Sequence, residues 1–263
     1  MTAQTIARYA AFSRIAVAQA RRERGEIYGR VVFFAVILGV FSSLWRAIGE
    51  AGMPLGADRR ALVWYLAMTE WILLSAPPIH LEVQEAIRRG DVVYELGRPA
   101  SYVVAQFASC LGLVAARAPL LGATAGVCAF ALTRWVPPLA ALAVAIPFGL
   151  AATAVMAALH LAIGLLAFWL EDVSPVFWVS QKLMFVLGGL MLPLQLYPLF
   201  IQRLAAFTPF PVLLGGPASL VLGPGGAGVA ELARGLALWS AVIAIAVRWL
   251  FRRATATMTI NGG

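Results

Sequence analysis

One charged stretch interrupts an otherwise apolar sequence: Arg88-Arg89-Gly90-Asp91-Val92-Val93-Tyr94-Glu95-Leu96-Gly97-Arg98-Pro99. Between positions 82 and 98 the ionisable side chains are Glu82, Glu85, Arg88, Arg89, Asp91, Glu95 and Arg98. Uncharged runs long enough to enter a bilayer lie close on both sides. Because charges are costly in hydrocarbon, we expect residues 82–98 to lie outside the membrane. Their mixed charges suit docking to a soluble protein, and they also suit a solvated connector.

The composition indicates that lipid is the solvent of this chain. Of its 263 residues, 62% are hydrophobic and 12% are charged, whereas a soluble domain has about 25% charged residues. The net charge of +8 comes from basic residues beside apolar runs. This is the pattern that orients membrane proteins, and it argues against a nucleic-acid partner.

The apolar runs predict an all-α polytopic membrane protein with six transmembrane helices. Residues 31–253 form the predicted permease domain, with spans at 31–45 and its flanks, 61–81, 99–133, 139–170, 174–192 and 231–253. A spanning helix needs about 20 residues, and the first run reaches that length only with its flanks. An even number of spans places both termini on one side. A cytoplasmic N-terminus then puts most of the 20 basic residues inside, as positive loops favour.

Three segments differ from this pattern. Residues 1–30 contain a basic, moderately amphipathic helix at 4–24, which predicts a cytoplasmic interfacial helix, although a solvated leader fits the same residues. Residues 193–228 are rich in proline and glycine, yet 204–230 carry no charge. Apolar backbone that cannot form one helix predicts short re-entrant or interfacial helices buried in protein. Residues 254–263 form a short, polar cytoplasmic tail.

We find no catalytic, cofactor-binding or metal-binding pattern. ATP hydrolysis needs a glycine-rich loop ending in Gly-Lys-Ser/Thr, and the one lysine, Lys182, follows Ser180-Gln181. His80 and His160 lack ligand partners at metal spacing, so structural roles are favoured. Cys110 and Cys128 would lie about 27 Å apart on one helix, so they cannot pair there and are expected to be core residues.

Glu70 and Arg117 are the ionisable residues deepest in the second and third predicted spans. Charges within a membrane usually face a cavity or each other. The two residues could therefore form a structural pair, contribute to a translocation path, or lie nearer an interface than the pattern suggests.

The run from Gly90 to Pro99 resembles the "G-D-hydrophobic-Tyr-x-Leu-x-Arg-Pro" signature of a branch of the ABC-2 type permeases. It lies between the second and third spans, as in that family. The six-span plan, the amphipathic N-terminal helix and the broken apolar segment before the last span are also similar. The resemblance covers nearly the whole chain, although the ten-residue run carries its specificity.

The resemblance implies the transmembrane subunit of an ABC transporter, usually an exporter, in the bacterial cytoplasmic membrane. It implies a separate ATPase chain that uses ATP, and a dimer with a second copy or a sister permease. Residues 193–228 would form an extracytoplasmic gate region. Residues 82–98 would form the cytoplasmic coupling helix region that contacts the ATPase, through Glu82, Glu85, Arg88, Arg89, Asp91, Tyr94, Glu95 and Arg98.

Two other function classes fit parts of the sequence. An ion-gradient-driven secondary transporter or channel could use Glu70, Arg117 or His160, but the halves show no internal repeat or paired broken helices. A membrane-embedded enzyme would need a nucleophile or a metal set, and no such set is recognisable in the sequence.

Overall fold

The computed structural model describes residues 3–20, 24–53, 56–96, 101–223 and 225–261, and these ranges contain helices and no strands. The helices are α1 (Ala3–Ala20), α2 (Arg24–Glu50), α3 (Arg59–Ser75), α4 (Ile79–Arg88), α5 (Asp91–Leu96), α6 (Tyr102–Thr133), α7 (Leu139–Leu165), α8 (Ser174–Leu187), α9 (Leu199–Ala206), α10 (Phe210–Leu213), α11 (Gly215–Ser219) and α12 (Gly226–Asn261). Short 3-10 turns occur at Leu166–Phe168 and Leu194–Leu196. The fold class is therefore all-α, as predicted.

Five helical stretches within the described ranges are long and apolar enough to cross a bilayer. They are Tyr28–Glu50, Arg59–Arg88, Tyr102–Thr133, Leu139–Phe168 and Gly228–Ala256. The chain is therefore a multi-pass membrane protein. The predicted fifth span differs, because α8 has 14 residues, or about 21 Å of helix, against a hydrocarbon core of about 30 Å. The sixth crossing remains a prediction.

The second predicted span is interrupted rather than continuous. Ala76 is extended (φ −70°, ψ 129°) and α4 begins only after Pro78. A residue before proline avoids the helical region, so Pro77 and Pro78 end α3 and separate it from α4. This break places the charged stretch on a helix of its own.

The core is built around α3, which packs against α2, α6, α7 and α11. Every residue from Leu62 to Ile72 is buried. Small residues on the neighbouring helices permit this close packing. A Cβ on Gly149 of α7, for example, would come within 2.6 Å of Trp71 and Met68 on α3.

Contacts between helices define two ends of the bundle. At one end, Tyr102 at the start of α6 stacks on Phe251 near the end of α12, with ring centroids 5.7 Å apart. Ile79 and Val83 of α4 belong to the same apolar cluster, so we call this the α4 end. At the opposite end, the Trp135 end, Trp64 near the start of α3 donates a hydrogen bond to the Trp135 carbonyl oxygen (2.9 Å).

Helix α1 packs along the first half of α6. Ser13 Oγ donates to the Ala108 carbonyl oxygen (2.6 Å), and the Tyr9 hydroxyl accepts from the Ser101 backbone N–H (3.1 Å). The interfacial location of α1 remains a prediction. At the other terminus, α12 continues to Asn261, so part of the predicted polar tail is helical.

Candidate functional site

The charged stretch begins as the amphipathic helix α4. Ile79, His80, Val83 and Gln84 form its buried face. Its exposed side carries Glu82 in the first turn and Arg88 in the last turn, and both charges complement the helix dipole. The chain leaves α4 at Gly90, whose φ of +77° belongs to the left-handed region that glycine adopts readily.

Six of the eight predicted coupling residues lie exposed on α4, on α5 and in the turn between them: Glu82, Glu85, Arg88, Arg89, Asp91 and Tyr94. We call these six residues the α4–α5 surface. Arg89 Nε lies 2.7 Å from Glu85 Oε1, an exposed ion pair that contributes little stability. The Glu95 side chain and all of Arg98 lie outside the described residues.

The buried face of α4 is held by α7 and by the start of α8. Gln84 Oε1 accepts a hydrogen bond from the Val173 backbone N–H (2.8 Å). The His80 ring stacks on Phe177 of α8, with centroids 3.7 Å apart. On the other side, a Cβ on Gly164 of α7 would come within 2.9 Å of the Val83 Cβ. A displacement of α4 would therefore directly change its contacts with α7 and α8.

Both histidines belong to this packing. His160 Nδ1 lies 3.3 Å from the carbonyl oxygen of Pro77, which can accept its hydrogen, and the His160 ring meets Phe177 edge-on at 5.1 Å. The rings of His80 and His160 are 5.8 Å apart. Among the described residues, no group of three His, Cys, Asp or Glu could hold a metal. Phe177 and Gln84 are central to the cluster, yet the sequence offers no periodic pattern that singles them out.

Asp172 forms a hydrogen-bonded turn immediately before α8. Its Oδ1 accepts hydrogen bonds from the Ser174 hydroxyl (2.7 Å) and the Ser174 backbone N–H (2.9 Å). These bonds favour the charged carboxylate and hold the pKa of Asp172 below its ordinary value, as hydrogen bonds to an anion do. Helix α8 thus begins in a hydrogen-bonded turn at the α4 end, where Gln84 also holds Val173.

The far end of α8 unwinds against α3. After Leu187 the chain turns through Gly188 and Gly189, whose φ is +67°. The Tyr65 hydroxyl donates to the Gly189 carbonyl oxygen (2.5 Å), and Thr69 Oγ1 donates to the Leu190 carbonyl oxygen (2.7 Å). Non-helical backbone within a membrane must satisfy its polar groups inside the protein, and these two hydroxyls do so.

The segment after α8 returns to the protein core rather than forming one regular span. The Gly215 backbone N–H donates to the Gly188 carbonyl oxygen (2.9 Å). Leu213, Leu214 and Ala218 are fully buried in the same cluster as α3. Tyr65 and Thr69 were not predicted as important residues. The only sequence signal for them is a polar group at a position that proves to be buried.

Glu70 and Arg117 are both buried on adjoining helices. Trp71 Nε1 donates to the Ala118 carbonyl oxygen (2.8 Å), so α3 and α6 touch beside them. Within the described ranges, however, no ion pair joins the two side chains, and Glu70 Oε2 has no hydrogen-bond partner. The structure thus brings the two helices together without pairing the charges, and a role in the translocation path remains a prediction.

A large apolar groove of about 670 Å³ lies between α3, α6 and α7. Trp64 and Trp71 line it, opposite small residues of α6 such as Gly122. Neither Glu70 nor Arg117 is among its lining residues. The groove therefore gives no direct support to these two charges as a binding site.

A known protein family matches most of this chain. Residues 61–262 match the family model described as ABC-2 family transporter protein. The matched region starts in α3 and contains α4, α8 and the broken segment. No curated protein is similar enough to this chain to count as a match.

Proposed function

Because this chain belongs to the ABC-2 family of transporter proteins, we propose that it is the permease subunit of an ATP-driven exporter. In this proposal the chain forms the translocation path, and a separate ATPase subunit binds and hydrolyses ATP. The chain itself has no enzymatic activity and binds no cofactor. It works as a dimer, with a second copy or a sister permease, in the cytoplasmic membrane.

The observation that carries this proposal is the two-sided character of α4. Its exposed side presents Glu85, Arg88 and Arg89 to solvent, while Val83 and Gln84 on its buried side touch the membrane helices. A partner can shift a transporter between two conformations only if it binds them with different affinity. Helix α4 can bind a partner through its exposed charges. Its contacts with α7 and α8 can then transmit the effect of binding to the membrane helices.

We further propose that α8 carries the movement of α4 toward the broken segment. The start of α8 contacts α4 through Phe177 and Val173. Just beyond its other end, Tyr65 and Thr69 bind carbonyl groups of the unwound backbone. Packed helices move as rigid units and shift between discrete arrangements. A displacement at the α4 end would then change the backbone of the predicted gate region, residues 193–228.

The proposed sixth crossing is supported by contacts at the two ends of residues 173–196. Val173 lies against Gln84 at the α4 end. Leu196 packs against Gly56 in the loop before α3, which is at the Trp135 end. These contacts support a crossing made jointly by α8 and the unwound segment. Both termini would then lie on the cytoplasmic side, together with α4.

The docking role of the α4–α5 surface is tested by removing two of its charges. We expect Arg88→Gln with Arg89→Gln to weaken the complex with the proposed partner ATPase at least tenfold, because both guanidinium groups are exposed there. The permease should keep its melting temperature. Affinity is measured by titration of the purified ATPase onto the permease in nanodiscs, followed by ATP-driven transport.

The matched control removes two arginines elsewhere. Arg46→Gln with Arg203→Gln makes the same charge change at exposed positions and should leave the affinity unchanged. An equal loss in both double variants would contradict the docking role of α4.

Transport by the permease alone in ATP-free liposomes would contradict the whole proposal and favour an ion-driven carrier, in which the buried Glu70 carboxyl would take part.

A further inference from the structure

A second apolar groove, of about 340 Å³, lies between α6, α7 and α12. Val104 and Phe107 form its α6 wall, Ala154 and Ala158 its α7 wall, and Ala244 belongs to its α12 wall. The Ser240 hydroxyl also lines it but donates to the Leu236 carbonyl oxygen (2.6 Å). Its polar group is thus used within α12, and the groove is left with an apolar wall.

A positive charge marks one end of this groove. Along α12 the last lining residue is Arg248, which is exposed and lies toward the α4 end. Arg252 follows one turn later and is also exposed. In the part of the chain that the structure describes, no carboxylate pairs with Arg248. Trp249, beside it, is half exposed, as is common for tryptophan at a membrane interface.

The dimensions match one leaflet of a membrane. From Ser240 to Arg248 the groove extends about 12 Å along α12, and one leaflet contributes roughly 15 Å of hydrocarbon. Arg248 ends the uncharged run that starts after Arg234, so it marks the boundary at which a phosphate group would lie. Basic residues beside grooves between transmembrane helices are suited to anionic lipid head groups.

We propose that this groove binds an anionic phospholipid, with one acyl chain along α6, α7 and α12 and its phosphate at Arg248. The apolar wall takes the chain, and the guanidinium group selects the negative charge. Because α7 also packs against α4, a lipid bound to α7 would stabilise the helix that supports the α4–α5 surface. This binding does not depend on ATP or on the partner ATPase.

The test compares lipids on the purified full-length permease by native mass spectrometry. We expect phosphatidylglycerol to be retained in preference to phosphatidylcholine with the same acyl chains. Arg248→Gln should lower phosphatidylglycerol affinity about fivefold, the effect of one basic residue near a membrane surface, and should abolish the preference. Ala244→Phe, which fills the groove, should abolish retention of both lipids.

Two control variants use the same helix. Arg234→Gln lies toward the other end of α12, and Ile245→Phe enlarges a residue that is exposed outside the groove; neither should change lipid retention. Equal retention of the two lipids, or unchanged retention in Ala244→Phe, would overturn the proposal. So would competition by inorganic phosphate alone, or a change in oligomeric state without any lipid loss in Ala244→Phe.

Discussion

Two hydroxyl groups on α3 explain how irregular backbone can lie inside this membrane protein. Tyr65 is fully buried, and its hydroxyl reaches the carbonyl oxygens of both Gly189 (2.5 Å) and Leu192 (3.4 Å). Thr69, one turn further along α3, reaches Leu190. A buried carbonyl group without a partner costs about 1–3 kcal/mol. The two side chains therefore determine where α8 can end.

Removal of the Tyr65 hydroxyl should destabilise the permease. We expect Tyr65→Phe to lower the free energy of unfolding by about 1–2 kcal/mol, because the Gly189 carbonyl group loses its buried donor while the ring is kept. The measurement is equilibrium unfolding in mixed detergent micelles. Tyr28→Phe, at an exposed position, is the control and should have no effect; a similar loss in both variants would refute the role of Tyr65.

At the level of elements, α8 is a short helix that meets α4 at its start and the broken segment at its end. Its first turn packs on α4 through Phe177, and its last turn leads into the carbonyl groups held by α3. Helices that are too short to span usually need protein neighbours at membrane depth. Here α7, α9 and α10 pack against α8, and α4 contacts its first turn. Helix α3 holds the carbonyl groups just beyond its last turn. Helix α8 therefore connects the charged stretch to the broken segment.

Loss of the α4–α8 contact should separate ATP hydrolysis from transport. We expect Phe177→Ala to keep ATPase binding and ATP hydrolysis while transport falls about tenfold, because the ring that stacks on His80 is removed. Both activities are measured in the same proteoliposomes. The neighbouring Trp178 is half exposed, so Trp178→Ala should retain transport. Parallel loss of transport in both variants, or none in Phe177→Ala, would refute the proposed connection.

At the scale of the whole molecule, the direction of each helix follows from a few contacts between distant residues. Stacking of Tyr102 on Phe251 places the start of α6 beside the end of α12, and the bond from Trp64 to Trp135 places the start of α3 beside the end of α6. Between α7 and α12 the chain must therefore pass from one end of the bundle to the other. This requirement supports six crossings, although among the described residues five helical stretches are long and apolar enough to span a membrane.

Cysteine labelling tests this topology. In a background with Cys110→Ala and Cys128→Ala, we expect Met53→Cys and Gln195→Cys to react with a membrane-impermeant maleimide in intact cells. Tyr94→Cys and Glu171→Cys should react only after permeabilisation. All four positions are exposed. Labelling of positions 171 and 195 from the same side would exclude the sixth crossing, and the reverse of the whole pattern would place α4 outside the cell.

Composition and the length of the apolar runs were enough to predict a membrane protein, most of its spans and the charged stretch, because both report directly on burial in lipid. The run from Gly90 to Pro99 was enough to predict its family. The sequence could not show that the break at Pro77 and Pro78 places the charged stretch on a separate helix, or that this helix packs on α7 and α8. Nor could it reveal that Tyr65 and Thr69 hold the unwound end of α8, or that no ion pair joins the buried Glu70 and Arg117 to each other in the described ranges. These features emerge from the folded chain, because each depends on contacts between residues far apart in the sequence.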